Sequence, residues 1–508
     1  MKNIFIKTMI IVLLTSASAC DQSLEEINID PNYPNPETVA VEYFFPSAVA
    51  STAGVIGGDY NLIGGIWSQY WTQNNASNQY KDVDAFIIQP STFELGFAEL
   101  YAGALNDLKF VKNRSKADGN WSYYLMATVM EAYTFQVVAD LYGSVPFDEA
   151  LRAEEGLLHP VYREGSVIYD SLIVRIDNAL ARDLDAETSE NPGTADFIFG
   201  GDMEKWIQFA NTLKLKIYLR QVYARPNVAE AGIEALYNAG AEFLSEDAAM
   251  TQFVDQQDKS NPLYEQDQRR LNTPNNLRAS TTLFAYLEAN DDPRLSELYQ
   301  PGTPGQPLRP LRQGDFNAPN SGATLATGLA RALLRPTDPV YFISEPESYF
   351  LQAEARERYF GGDEAKELYD AGVDAAFDRF NLNGGSFTDA GGAYAYPVAG
   401  TFEEKLEQII LQKWVAMAGA QGLEAFFERN RTGYPAANIV DGEWVDYGSA
   451  GWEPGKTTYP IEGVSENERL PRRLLFTDYE RTRNPNTPNQ MPFTTPVWWD
   501  VNPNSQYF

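Results

Sequence analysis

The stretch 344–380 constrains the fold more than any other part of the chain. Tyr349, Ala353 and Phe360 recur at helical spacing, and Gly361-Gly362 then interrupts the pattern. Asp363 stands where a helix N-cap would, and Ala365, Leu368, Tyr369, Gly372, Val373, Ala376 and Phe380 form a second apolar stripe. Two amphipathic helices with so short a link form an antiparallel αα-hairpin. Its dimensions are those of a tetratricopeptide-like pair, although no strict internal repeat is visible.

The same period recurs elsewhere. Phe97, Leu100, Tyr101, Ala104, Leu105, Leu108 and Val111 predict one amphipathic helix, and Trp206, Phe209, Ala210, Leu213 and Ile217 another. Residues 121–141 are apolar nearly all round, which predicts a buried helix, and Leu406, Ile409, Ile410, Trp414 and Met417 mark a further one. Two stretches lack periodicity: 300–340, rich in Pro, Gly, Arg and Asn, and 430–508, rich in Pro, Asn, Trp and Tyr. Loops of that length inside a compact domain usually have a function. No clean linker divides the chain, so residues 41–508 read as a single, mainly α domain despite a length that would permit three.

The amino terminus reads as an address. Lys2 and Lys7 precede the apolar run Ile10-Ile11-Val12-Leu13-Leu14, which is too short to span a membrane. Small residues from Thr15 to Ala19 lead to Cys20, the only cysteine of the chain. This is the layout of a lipoprotein signal over 1–19, with Cys20 acylated and a polar, Pro/Asn-rich leader over 20–40. The position three before the cysteine is Ala17 rather than the more usual Leu. Without Lys2 and Lys7, 37 basic residues face 70 acidic ones. A body so acidic avoids anionic head groups and is tethered at a membrane rather than spread on it.

The inventory excludes much chemistry. The net charge of −31 gives no basic footprint for nucleic acid. One His, His159, and one Cys rule out cysteine- and histidine-rich zinc sites and disulfides within one chain. Neither a dinucleotide-binding glycine motif nor a nucleophile elbow is present, and Gly455-Lys456-Thr457 lacks the earlier glycine of a phosphate loop. No metal site or cofactor is expected. Asp82/Asp84 and Asp291/Asp292 read as solvated surface. Paired carboxylates remain the one catalytic device available, so a surface glycoside hydrolase is an alternative.

Aromatic and amide side chains are abundant: 29 Tyr, 28 Phe and nine Trp. Sugar rings stack their C–H faces on such rings while Asn, Asp and Arg bond the hydroxyls. Three clusters fit this use, and each also fits plain packing. The first is Trp67, Tyr70, Trp71, Asn74, Asn75, Asn78 and Tyr80, with Trp67 and Trp71 one helical turn apart. The second is Tyr264, Arg269, Arg270 and Asn272. The third is Tyr434, Trp444, Tyr447, Trp452 and Tyr459. The acidity of the chain disfavours anionic glycans unless Arg269, Arg270, Arg312 or Arg331 line the pocket.

Several motifs in order resemble the SusD/RagB family of outer-membrane nutrient-binding lipoproteins, in its SusD-like variety. They are Glu26-Ile27-Asn28-Ile29-Asp30-Pro31-Asn32, Asp140-Leu141-Tyr142-Gly143-Ser144-Val145-Pro146-Phe147, and Gly200-Gly201-Asp202-Met203-Glu204-Lys205-Trp206 with Ala210-Asn211-Thr212-Leu213-Lys214-Leu215. Asp292-Pro293-Arg294-Leu295, Tyr349-Phe350-Leu351-Gln352-Ala353-Glu354-Ala355, Gln412-Lys413-Trp414, Glu424, Arg431-Thr432-Gly433-Tyr434-Pro435, Leu470-Pro471-Arg472-Arg473-Leu474 and Glu480 follow. Their physics is structural: Gly143 and Pro146 turn the chain, Asp202 caps a helix, and Glu354, Arg431 and Arg473 suit buried ion pairs. The resemblance implies a helical scaffold of tetratricopeptide-like pairs with the ligand site on loops of one face. It also implies an outward-facing lipid-anchored protein that captures oligosaccharide, or peptide in some members, and passes it to a TonB-dependent SusC-like barrel without covalent chemistry. A lid with no ligand contact of its own is a third reading.

Overall fold

The computed structural model describes residues 39–270 and 275–505. The signal, Cys20 and most of the leader lie outside the described residues, as does Asn272. Helices of eight or more residues among those described are α1 Val41–Ile56, α2 Asp59–Trp67, α3 Asn106–Asp118, α4 Trp121–Tyr142, α5 Gly165–Leu180 and α6 Met203–Arg220. They continue as α7 Pro226–Asn238, α8 Thr281–Ala289, α9 Glu345–Tyr359, α10 Ala365–Asp378, α11 Phe402–Met417 and α12 Gly422–Thr432.

The apolar stripes of the sequence are the buried faces. α4 is buried on almost every residue, with Asn120 capping its start and Gly143, at φ +79°, ending it. Asp202 caps α6 as expected, accepting from the N–H groups of Glu204 (3.1 Å) and Lys205 (3.3 Å). The helical hairpin of 344–380 is present as α9 and α10, but Asp363 is not its cap. Glu364 precedes α10 in the left-handed region, and no side chain caps the helix there. The stripe that starts at Phe97 is also less regular than its spacing suggests. It passes through Glu94–Glu99 and a π-helical turn over Leu100–Leu105 before α3 begins.

A buried ionic network joins the helices. Arg220 on α6 bonds Asp140 on α4 (3.2 Å) and Glu424 and Glu428 on α12. Lys216 holds Glu347 and Glu424, each at 2.9 Å. Arg431 meets Glu354 on α9 and Glu428, both at 2.6 Å. Burial alone would raise the Glu428 carboxyl, but Arg431, Lys413 and Arg220 outweigh it and hold the group well below the usual carboxylate range. Glu354 and Arg431, both expected in buried ion pairs, are paired with each other. Arg473 has no carboxylate within ion-pair distance among the described residues.

Strands are short. β1 Trp71–Gln73, β2 Leu277–Ala279, β3 Tyr299–Gln300 and β4 Arg331–Ala332 form one antiparallel sheet in the order β1-β2-β4-β3. Trp71 faces Ala279, and Arg278 faces both Thr72 and Arg331. The largest hydrophobic core draws on residues from Phe45 to Trp499 and includes the inner face of this sheet. Asp84 and Asp292, read from sequence as solvated, are buried instead. Asp292 pairs with Arg294 at 2.6 Å and accepts from the Tyr394 phenol at 2.6 Å. No described helix is long and apolar enough to cross a membrane.

Candidate functional site

α12 ends at Gly433, and the long aperiodic stretch after it folds into a small structure of its own. Ile439–Val440 pairs antiparallel with Glu443–Trp444, Val440 opposite Glu443 and Ile439 opposite Trp444. The two residues between them, Asp441 (φ +53°) and Gly442 (φ +88°), are both left-handed. Asp-Gly favours this turn, whose twist matches that of the strands it joins. The hairpin sets Trp444 on the wall of a cavity of about 550 Å³, lined also by Val445, Ser449, Tyr459, Pro460 and Ile461 and by the acids Glu443, Asp446 and Glu468.

Two rings dominate that wall. Trp444 and Tyr459 lie 6.0 Å apart at 41°. The Trp444 indole donates to the carbonyl of Glu468 (3.2 Å), and the Tyr459 phenol accepts from the Ser465 N–H (2.9 Å). Behind them the contacts run inward. Tyr459 meets Phe86 edge-on at 5.9 Å, Phe86 meets Trp67 at 6.5 Å, and Trp67 meets Phe426 of α12 at 5.1 Å. Buried Gln69 clamps the loop: its amide donates to the Thr458 carbonyl and its carbonyl accepts from the Thr458 N–H (3.0 Å). Ile461 N–H donates to the Gln313 carbonyl and Val464 N–H to the Ala85 carbonyl, each at 3.0 Å. A second ring pair, Tyr447 and Trp452, sits on the same loop at 4.8 Å, close to perpendicular.

Asp84 organises the layer beneath. Its carboxylate accepts from Thr72 (2.7 Å), the Gln73 N–H (2.8 Å) and Gln313 (2.6 Å), and no cation among the described residues is within ion-pair distance of it. Complete burial pushes the carboxyl up to about 6, against the lowering effect of those hydrogen bonds. The cavity is thus an aromatic wall on rigid backing, with carboxylates but no Lys or Arg among its lining residues. Such a surface can stack an uncharged ring and accept hydrogen bonds from hydroxyls.

A sequence family described as starch-binding and associating with the outer membrane matches residues 37–450, more than half of the chain. The chain belongs to the SusD-like family. No curated protein matches its sequence. Solved structures share the fold. A chitin-binding SusD homologue from Flavobacterium johnsoniae is 20% identical, with a TM-score of 0.74 over 91% of this chain and 99% of that one. A SusD homologue from Bacteroides uniformis is 22% identical, with a TM-score of 0.69 over 91% and 100%. A SusD/RagB protein from Bacteroides thetaiotaomicron is 22% identical, with a TM-score of 0.70 over 91% and 99%.

Within this SusD-like fold the three sequence clusters part ways. In the first, Trp67, Tyr70, Trp71, Asn74 and Tyr80 are buried and offer no face to a ligand. α2 stops at Trp67 and Trp71 opens β1, so the two are not successive turns of one helix. Trp71 packs on Gly65, where a side chain would come within 2.4 Å of its ring, and the Tyr70 phenol donates to the Trp414 carbonyl. Packing therefore overrides the sugar-binding reading for these five residues. Asn78 is exposed, and half-buried Asn75 donates to the Thr324 carbonyl at 2.6 Å.

The second cluster does assemble, with the Arg269 guanidinium 5.3 Å above the Tyr264 ring. Arg269 is committed to Asp255 and to Glu265 (3.2 Å), while Arg270 is exposed. In the third cluster, Trp444 and Tyr459 share the cavity, and Trp452 is half-buried beside Tyr447. Tyr434 goes elsewhere. It packs on the smaller core between α10 and α11 and donates to Glu403 at 3.2 Å. The signal for the hairpin that presents Trp444 is the dipeptide Asp441-Gly442 between Ile439-Val440 and Glu443-Trp444, a turn sequence that composition and helical period do not pick out.

Proposed function

We propose that this protein is a cell-surface nutrient-binding lipoprotein that captures oligosaccharide against Trp444 and Tyr459 and passes it to a TonB-dependent SusC-like transporter of the outer membrane. The observation that carries this reading is the pair of fixed rings over an open cavity, backed by Phe86, Trp67 and the Gln69 clamp. Family membership and the chitin-binding relative support a carbohydrate ligand. Glu443, Asp446 and Glu468 favour neutral over anionic sugars by repulsion. The signal over 1–19 and Cys20 supply the tether, leaving 20–40 as a leader and 41–508 as the binding domain. Asn78, Arg270, Tyr434 and Trp452 stay candidates for further contacts.

Titration of the mature chain with neutral starch- and chitin-derived oligosaccharides tests this. Saturable binding that Trp444→Ala and Tyr459→Ala each weaken about tenfold or more is expected, a loss typical of a central aromatic contact. Binding that ignores both substitutions removes the cavity from the site, and response to peptides alone moves the ligand class. Release of reducing ends on long incubation would show the hydrolase alternative instead. Cys20→Ala should move the protein from the membrane to the soluble fraction of cells, and retention at the membrane would reject the lipid anchor.

A further inference from the structure

A second cavity, of about 450 Å³, lies among the short strand Ser144–Pro146, the start of α5 and the C-terminal stretch. Arg473 lines it. This residue is 7% exposed, yet no carboxylate pairs with it among the described residues. Arg431 is neutralised by Glu354 and Glu428, Arg472 by Asp500 at 3.0 Å and Arg294 by Asp292, whereas buried Arg278 and Arg429 share with Arg473 the lack of a carboxylate within ion-pair distance among the described residues but do not line this cavity. Among the described residues Arg473 donates to the carbonyls of Tyr142 and Leu474 and lies 5.3 Å from the Phe476 ring. A buried cation left unpaired is unfavourable unless something else offsets it.

Two further features give the place a positive character. α5 begins at Gly165 without a side-chain cap, next to the lining residue Glu164, so the unsatisfied N–H groups and dipole of its first turn lie beside the cavity. The Trp498 indole N–H is buried without a partner against Gly165, where a Cβ would come within 2.1 Å of the nitrogen. The rest of the wall is largely apolar: Phe476, Met491, Pro496 and Val497. Glu164 is the one carboxylate among the lining residues, and it is exposed.

We propose that this cavity is a binding site for a carboxylate joined to an apolar group, of the kind at the C-terminal end of a peptide, with Arg473 receiving the carboxylate. A single guanidinium matches a single negative charge, and Glu164 repels a dianion such as phosphate. The apolar wall takes the attached side chain. The site is built from residues other than those of the Trp444 cavity, so it stands whatever that cavity binds.

Calorimetric titration of the mature chain at fixed ionic strength tests it, with N-acetyl-phenylalanine as probe and its carboxamide as control. Saturable binding of the acid, at least tenfold tighter than the amide, is expected. Arg473→Gln should abolish that preference, Glu164→Gln should strengthen it, and Met491→Trp should block the cavity while leaving Arg473 in place. Equal binding of acid and amide, absence of saturable binding, or acid binding untouched by Met491→Trp would overturn the proposal. Glucuronate bound as tightly as N-acetyl-phenylalanine would overturn its apolar half, since the charge alone would then be recognised. The Met491→Trp arm and the amide control decide the matter even if Arg473→Gln fails to fold.

Discussion

The rings of Trp444 and Tyr459 stand 6.0 Å apart over one cavity, and each is held by a bond to the loop that carries residues 465–468. Neither ring has to be ordered when a ligand arrives, which lowers the entropy lost on binding. Trp444→Ala should therefore weaken oligosaccharide binding about tenfold or more, while Trp444→Phe keeps part of the stacking and loses less. The thermal midpoint should change little, because Trp444 is only half-buried. Calorimetry and thermal melts on the same samples check both halves, and a large loss of stability would make the ring a packing residue instead.

Gln69 acts on the same site without touching the cavity. Its carbonyl accepts from both Thr458 N–H (3.0 Å) and the Thr282 hydroxyl (2.6 Å), and its amide donates to the Thr458 carbonyl. Gln69→Ala leaves buried groups on Thr458 and Thr282 unpaired, at about 1–3 kcal/mol. The expected result is a lower unfolding free energy together with weaker sugar binding and faster protease cleavage in 440–470. A destabilised variant with unchanged affinity would show that the clamp serves the fold alone.

The sequence made the scaffold legible because its physics is periodic. The stripes of α4, α6 and α11, and the hairpin α9–α10, all follow from apolar spacing, and Asp202 follows from capping chemistry. The site was harder to read because an exposed ring and a buried ring look alike in a sequence. Trp67 and Trp71 satisfy every compositional criterion for sugar binding, yet Gly65 gives Trp71 its place in the core. The decision lay in tertiary packing, which period cannot report. Asp84 shows the same limit for charge. An acid beside Asp82 reads as surface, and only the three donors waiting for it in the interior say otherwise.

Arg431 belongs to the part that order and chemistry did reveal. It holds Glu354 and Glu428 together, and both would be left buried with less compensation if it were replaced. Arg431→Leu should cost about 3–5 kcal/mol, the range for breaking a buried pair from one side. Glu354→Gln, which keeps shape and hydrogen-bonding capacity, should cost less. Urea titrations of the two variants measure the ordering, and a reversed order would mean that packing, not charge, sets the value of this site.

Asp84 supplies a pH dependence whose sign can be worked out. Its carboxyl is raised to about 6 in the folded chain by burial, against an ordinary value of 3.8. Across that window the folded state binds more protons than the unfolded one, so stability falls as pH rises from about 4 to 6. Asp267, raised to about 6 mainly by burial, acts in the same direction. Glu354, Glu424 and Glu428 act oppositely. Their folded values lie below 4.5, so their contribution is present above that value and is lost as pH falls through the folded ones. Maximum stability is thus expected near pH 4.5, where the glutamates are already ionised and Asp84 and Asp267 still hold most of their protons, with a lower thermal midpoint at pH 7.5 than at pH 5. Asp84→Asn turns an amide N–H toward donors and should destabilise the protein by about 1–3 kcal/mol at pH 5. The gap between wild type and variant should then narrow at pH 7.5, because only the wild type carries the buried charge. Melts at the two pH values decide it, and a gap of constant size would mean that Asp84 keeps one charge state throughout.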